Sequence, residues 1–138
     1  MARAARVQER PVRLVLVTGA SLQVRISQIG RDYVAGELDA PSSVAVIVPG
    51  RSIVCVDFDG LLGLGESDAS DPPPRAHLRA MMTNMQRLSR RVVVHTPAGQ
   101  WGGRIDAVVA DAIVLTSSDS RQHLVVIEHI VWVAVCGD

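Results

Sequence analysis

The two halves of the chain repeat one valine-rich pattern, and this repeat constrains the fold more than any other feature. A constant offset in residue number, which we call the first offset, aligns Arg25 with Arg104, Ile26 with Ile105, Asp32 with Asp111, and Val34 with Ile113. A slightly shorter one, the second offset, aligns Val48 with Val125, Ile53 with Ile130, Val54 with Val131, and Val56 with Val133. The identities are few, so a chance likeness of two valine-rich segments is the alternative. A true repeat predicts two units of the same architecture.

A boundary separates the two halves. Residues 60–74 read GLLGLGESDASDPPP, and this mixture of glycines, small polar residues and prolines cannot sustain a strand or a helix interior. We therefore predict a first unit over residues 1–58, a Gly/Pro/acidic linker over 59–73, and a helix plus a second unit over 74–138.

Each half is expected to form five short strands around an aliphatic core, because apolar residues make up 48% of the chain and aromatics only 3%. In the first half the strands are predicted near residues 12–17, 22–28, 33–38, 43–48 and 53–56. The alternation is clearest at Leu22, Val24 and Ile26, which would share one face of a strand. Residues 50–52 leave room for a single 3₁₀ turn between the fourth and fifth strands.

One amphipathic helix is predicted from about residue 74 to residue 90. Its apolar stripe consists of Leu78, Met81, Met82, Met85 and Leu88, which recur at helical spacing. The favoured interpretation is a helix that packs on a barrel. A flexible methionine surface for partner binding is the alternative.

A helix followed by five bent strands resembles the Sm-like (LSm) small barrel. Each half has a Gly in the first turn, an Asp at the turn to the third strand and a short link to the fifth strand. These features are Gly19, Asp32 and residues 48–53 in the first half, and Gly99, Asp111 and residues 125–130 in the second. The resemblance covers residues 12–56 and 92–135, and SH3-like barrels share much of it. It implies a mainly β fold: two tandem five-stranded Sm-like/SH3-like small barrels, with one helix preceding the second.

The resemblance also implies a binding function. Many Sm-like proteins form rings and bind RNA through loops near the Asp turn and near the link to the last strand. The bacterial RNA-chaperone branch carries a Tyr-Lys-His motif in that link, whereas this chain lacks the motif and has no lysine. These differences favour a protein partner over RNA.

A small open barrel leaves strand edges exposed, and such edges pair with other strands. Two units in one chain can satisfy one edge each, which leaves two outer edges available. We therefore predict a non-enzymatic interaction or scaffold module that associates through strand edges, with itself as a homo-oligomer or with another protein.

The alternative is an RNA- or DNA-binding regulatory protein that uses an arginine-rich helix face. The net charge of zero excludes a strongly basic whole-chain binder, but residues 75–91 hold five arginines and no acid. The candidate phosphate contacts are Arg75, Arg79, Arg87, Arg90, Arg91, Arg25 and Arg104. Tyr33 and Trp101 lie near turns, where an exposed ring could stack on a base.

No catalytic, metal or cofactor site is expected. Adjacent residues on a strand point to opposite faces, so Glu128 and His129 cannot easily share a ligand. Cys55 and Cys136 lack metal or nucleophile spacing, and we expect reduced thiols in the core of a cytoplasmic protein. No apolar run approaches the length of a membrane span, and the charged start of the chain is unlike a signal peptide.

Overall fold

The computed structural model describes residues 11–39, 44–57 and 77–136. It contains one antiparallel sheet of ten strands and one α-helix. The strands are β1 (Val12–Leu16), β2 (Ser21–Ile29), β3 (Tyr33–Leu38), β4 (Ala45–Pro49), β5 (Ile53–Asp57), β6 (Arg91–Thr96), β7 (Gly99–Val109), β8 (Ala112–Thr116), β9 (Gln122–Val126) and β10 (Trp132–Val135). Helix α1 (Leu78–Arg87) precedes β6, and 3₁₀ turns at Gly50–Ser52 and Ile127–His129 precede β5 and β10. The mainly β class predicted from the sequence is confirmed.

The order of the strands across the sheet is β5-β1-β2-β3-β4-β10-β6-β7-β8-β9. The first five strands and the last five therefore have the same internal order, and β5 and β9 are the outer strands. A register shift between Ile26 and Gln28 interrupts the pairing of β2 with β3, and one between Ile105 and Ala107 interrupts β7 with β8. These two irregularities are related by the first offset of the sequence repeat, and the two 3₁₀ turns are related by the second. The structure therefore repeats with the spacings of the sequence pattern.

The two halves join through β4 and β10 rather than standing as two closed barrels. Val133 lies opposite Ile47, and Val135 lies opposite Ala45. Within the described residues, β4 does not pair with β5, and β9 does not pair with β10. The backbone groups on that side of β4 are hydrogen-bonded to β10 instead. The expectation of two closed barrels is therefore corrected to two five-stranded halves of one open sheet.

Two apolar cores meet at this junction. Val46 and Val48 of β4 belong to the core of the first half, whereas Ile47 between them belongs to the core of the second. This division follows from the alternation of side chains along a strand. In return, Val131 of the second half packs in the core of the first. Both cores thus depend on the junction.

Helix α1 covers the core of the second half with the predicted apolar stripe. Leu78, Met82 and Met85 are buried and Met81 packs against them, whereas Leu88 is exposed just beyond the last helical turn. The burial of the methionines agrees with a helix packed on the sheet. The expected helix start near residue 74 and the Gly/Pro/acidic linker lie outside the described residues.

The structure also bears on the expectations for the cysteines and for the ring of Tyr33. The expectation of core thiols is wrong for Cys55, which is exposed because it lies on the outer strand β5, and Cys136 is half-buried. Tyr33 is only 1% exposed, so its ring is not available for stacking. Trp132 is half-buried and stacks on His95 with ring centroids 3.9 Å apart. No described helix is long and apolar enough to cross a membrane.

Candidate functional site

The two outer strands of the sheet expose apolar side chains in rows. On β5, Val54 is 65% exposed and Val56 is 36% exposed; we call this pair the β5 row. On β9, Leu124 is 65% exposed and Val126 is 39% exposed; we call this pair the β9 row. Leu124 and Val126 are separated by a single residue, so they lie on the same face of β9. On β5, a register shift in the pairing with β1 falls between Cys55 and Ile53, so Val54 lies at an irregularity of its strand. An outer strand also presents backbone N–H and C=O groups to which another strand can add.

A groove of about 610 Å³ runs beside β9; we call it the β9 groove. Its walls come from the turn between β6 and β7, from Trp101 of β7, and from β9 itself. The rings of Trp101 and His123 lie 6.5 Å apart and are tilted by 47°. Since the β9 row also lines this groove, the groove and the outer edge form one continuous apolar surface.

A second cleft, of about 400 Å³, lies where the two halves meet. It is lined by both Asp turns and by residues at both 3₁₀ turns: Asp32, Asp111, Arg51, Ile127 and Glu128 are among its walls. The Arg51 guanidinium donates hydrogen bonds to the carbonyl of Ile130 at 3.2 Å and to that of Ile127. Arg51 therefore acts as a clamp between the halves.

Asp32 forms a second clamp at this cleft. Its carboxylate accepts a hydrogen bond of 2.6 Å from the backbone amide of Leu78, at the start of α1. On the helix itself, Arg79 donates to the carbonyl of Ala110 in the turn between β7 and β8. The polar groups of the cleft are thus largely occupied in holding the helix and the two halves together.

Most of the arginines proposed to contact phosphates have partners in the structure. Arg25 forms an ion pair with Asp39 at 3.0 Å, and Arg87 donates to Asn84 at 2.5 Å. Half-buried Arg90 donates to the carbonyl of Cys136 at 3.5 Å.

Two of the proposed arginines stand side by side. Arg91 of β6 lies directly opposite Arg104 of β7, and both side chains are exposed. Arg75 lies outside the described residues. Nucleic-acid contacts by this set remain a prediction.

Burial shifts the pKa values of two groups near the junction. Burial lowers the pKa of His95, the histidine that stacks on Trp132, so the neutral imidazole is favoured. Burial and the nearby Asp32 carboxylate raise the pKa of Tyr33. In the part of the chain that the structure describes, no three His, Cys, Asp or Glu side chains are grouped so that they could hold a metal ion.

Comparison with known proteins adds one match. A family model described as "Domain of unknown function (DUF2642)" matches residues 80–134. The match runs from α1 to β10 and covers less than half of the chain. No curated protein and no solved structure matches this chain.

The sequence predicted two outer edges without identifying their strands, and in the described part of the chain the outer strands of the sheet are β5 and β9. Sequence reasoning missed the β9 groove because Trp101 and His123 are distant in sequence and meet only through the pairing of β7, β8 and β9. The sequence did contain a signal for this surface. Leu124 and Val126 form an alternating apolar pair on the fourth strand of the second half, and no charged residue lies between them.

Proposed function

We propose that the protein is a non-enzymatic interaction module, built of two fused Sm-like units that associate with other chains through strand edges. The equal strand order of the two halves and the equal positions of their irregularities support the tandem units. The exposed β5 and β9 rows carry the proposal of edge association.

The composition of β9 supports this proposal. Proteins that remain monomeric usually protect an edge strand with charges, prolines or bulges. Over Gln122–Val126 the only ionisable side chain is His123, and proline is absent. An added strand would pair the outer backbone groups and cover the β9 row. Complete burial of a valine or leucine side chain contributes about 1.5–3 kcal/mol.

The test is light scattering across a concentration series. We expect the molar mass of the wild-type protein to rise above that of the monomer, and Leu124→Lys to remain monomeric because it places a charge on the edge. Val109→Lys is the matched control, since Val109 is similarly exposed but lies on the interior strand β7. A strictly monomeric wild-type mass at the highest concentration would overturn the proposal.

One observation favours nucleic-acid binding as a second candidate. Two guanidinium groups opposite each other, at Arg91 and Arg104, form a local positive surface that attracts phosphate. The measurement is fluorescence anisotropy of labelled single-stranded RNA at low salt. Loss of binding in Arg91→Ala and Arg104→Ala, but not in Arg121→Ala, would support this function. Equal binding by all three variants would exclude this arginine pair as the site.

A further inference from the structure

The sequence repeat allows one exposed face of the sheet to be compared between the two halves. In the second half, Arg104 of β7 lies between Arg91 of β6 and Thr116 of β8, each of which is directly opposite it. The first offset relates Arg104 to Arg25 and Thr116 to Glu37, and Glu37 lies directly opposite Arg25. The two halves therefore share the central arginine but not its neighbours.

In the first half this arginine is neutralised by acids. Glu37 lies opposite Arg25, and Asp39 forms an ion pair with it at 3.0 Å. Under the first offset, the positions of these two acids carry Thr116 and Ser118 in the second half. Both acids are therefore replaced by hydroxyl side chains.

The second half adds a second arginine instead. The registers of β1 with β2 and of β6 with β7 align Arg91 with Pro11. Both Arg91 and Arg104 are exposed, and among the described residues neither forms an ion pair. The acid of this region, Asp106, accepts a hydrogen bond from the hydroxyl of Thr116. Like charges directly opposite each other on antiparallel strands destabilise the pairing, so an anion held between the two guanidinium groups would stabilise this face.

Beside the arginine pair the surface is low and apolar. Val93 of β6 is two residues from Arg91 and so lies on the same face; it is directly opposite Gly102 of β7 and Ala134 of β10. We call the surface at these three residues the apolar floor. In the first half the corresponding positions carry longer or charged side chains: Arg13, Gln23 and Asp57. The arginine and the aspartate among them form an ion pair at 3.0 Å.

The backbone does not require a glycine at position 102. An added Cβ atom would lie 3.7 Å from the carbonyl oxygen of Val92 and from the side chain of Val93, which are ordinary contacts. Gly103 differs, since its φ is 153° and an added Cβ atom would collide with the carbonyl oxygen of Thr116. A glycine within a strand weakens the strand, and it often marks a place where a ligand approaches the backbone closely. Gly102 therefore indicates space for a bound group above the apolar floor.

Two aromatic rings border the far end of the apolar floor. His95 lies opposite Trp132, and their rings stack with centroids 3.9 Å apart. The corresponding pair in the first half is Val15 and Cys55. His95 is four residues from Arg91 along β6, a distance of about 13 Å. The space between the guanidinium groups and the stacked rings is therefore that of one phosphate group and one ring.

We propose that this face of β6, β7 and β10 is a binding site for a small aromatic phosphate monoester. Arg91 and Arg104 hold the phosphate group, and the aromatic ring lies on the apolar floor over Gly102. Guanidinium groups bind phosphate oxygens in bidentate pairs, and a phosphate monoester carries a charge of about −1.5 to −2 at pH 7. The site uses interior strands, so it does not depend on the association proposed for β5 and β9.

The same arginines are the candidate contacts for nucleic acid, but the face fits a monoester better. Each phosphodiester of a nucleic acid carries a single negative charge, whereas the two guanidinium groups are both positive. A nucleic-acid strand also continues past each phosphate on both sides, whereas the apolar floor ends at the stacked rings of His95 and Trp132. The shared chemistry is phosphate, so the test compares the two sources directly.

Isothermal titration calorimetry at low salt tests the proposal with phenyl phosphate, inorganic phosphate and a single-stranded RNA. We expect phenyl phosphate to bind the wild-type protein more tightly than inorganic phosphate does, and Arg104→Ala to weaken its binding about tenfold or more. Arg25→Ala is the matched control, because it removes the arginine at the same position of the first half and should leave binding unchanged. Gly102→Gln introduces the residue of the first half. It should melt close to the wild-type temperature but lose the preference for phenyl phosphate.

Four results would overturn the proposal: no binding of phenyl phosphate, equal affinities for phenyl phosphate and inorganic phosphate, equal weakening by Arg25→Ala and Arg104→Ala, or a folded Gly102→Gln variant that binds phenyl phosphate as the wild type does. Binding of RNA without binding of phenyl phosphate would overturn it in favour of the nucleic-acid candidate. Light scattering measures the edge association separately, so the failure of either proposal leaves the other in place.

Discussion

Asp32→Ala tests the clamp by which the first half holds the helix of the second. The Asp32 carboxylate accepts the amide proton of Leu78 over 2.6 Å, whereas the residue at the N-cap position, His77, makes no side-chain capping bond. Loss of a capping acceptor costs about 0.5–2 kcal/mol, and loss of a negative charge at a helix N-terminus costs about 0.3–1 kcal/mol. The Asp32 side chain is half exposed, so we expect a total loss of about 1–2 kcal/mol.

Asp111→Ala is the matched control. Asp111 occupies the equivalent turn of the second half, but among the described residues its side chain accepts no backbone amide bond from a helix. Exposed substitutions of this kind change the free energy of unfolding by less than about 0.5 kcal/mol. Asp32→Asn keeps an acceptor oxygen but loses the charge, so its loss should be smaller than that of Asp32→Ala.

Urea denaturation of the three variants measures these free energies of unfolding. The expected order of stability is Asp111→Ala close to wild type, then Asp32→Asn, then Asp32→Ala. Equal losses in the free energy of unfolding for Asp32→Ala and Asp111→Ala would refute the reasoning. The contact of Asp32 with the start of the helix would then contribute nothing beyond what an equivalent turn contributes without it.

Two further predictions concern the helix and the junction. Met82→Asp should reduce the free energy of unfolding by several kcal/mol in urea titrations, because it buries an unpaired carboxylate; Arg79→Asp should cost only about 1 kcal/mol for its lost hydrogen bond. Burial lowers the pKa of His95, so as the pH drops this histidine takes up a proton in the unfolded state before it does so in the folded state. The free energy of unfolding should therefore fall as the pH drops below about 6.5. Urea midpoints at pH 5 and pH 7.5 should differ less in His95→Phe, and an unchanged difference would contradict this.

The strands and the helix were predictable because their signals are local. Leu22, Val24 and Ile26 alternate within a few residues, and the structure forms β2 at that place. The helical spacing of Leu78, Met82 and Met85 likewise identified the buried face of α1. Both offsets of the sequence repeat reappear in the registers of the paired strands and in the positions of the 3₁₀ turns.

The junction was not predictable, because it pairs strands that are far apart in the sequence. An apolar strand such as β4 can pair with any strand that offers free backbone groups, and nothing local specifies β10 as its neighbour. The same lack of a local signal explains why Cys55 was wrongly expected in the core. Its apolar neighbours indicate a core position, but the strand order places β5 at the outer edge.

Amide hydrogen exchange of β5 and β9 as a function of protein concentration tests the central claim most directly. Edge amides that gain a hydrogen-bonded neighbour become protected from exchange, whereas the amides of interior strands such as β2 and β7 are already paired. We predict that protection of β5 and β9 increases with concentration while that of β2 and β7 stays constant. Exchange rates on β5 and β9 that do not change over the whole concentration range would contradict association through the strand edges.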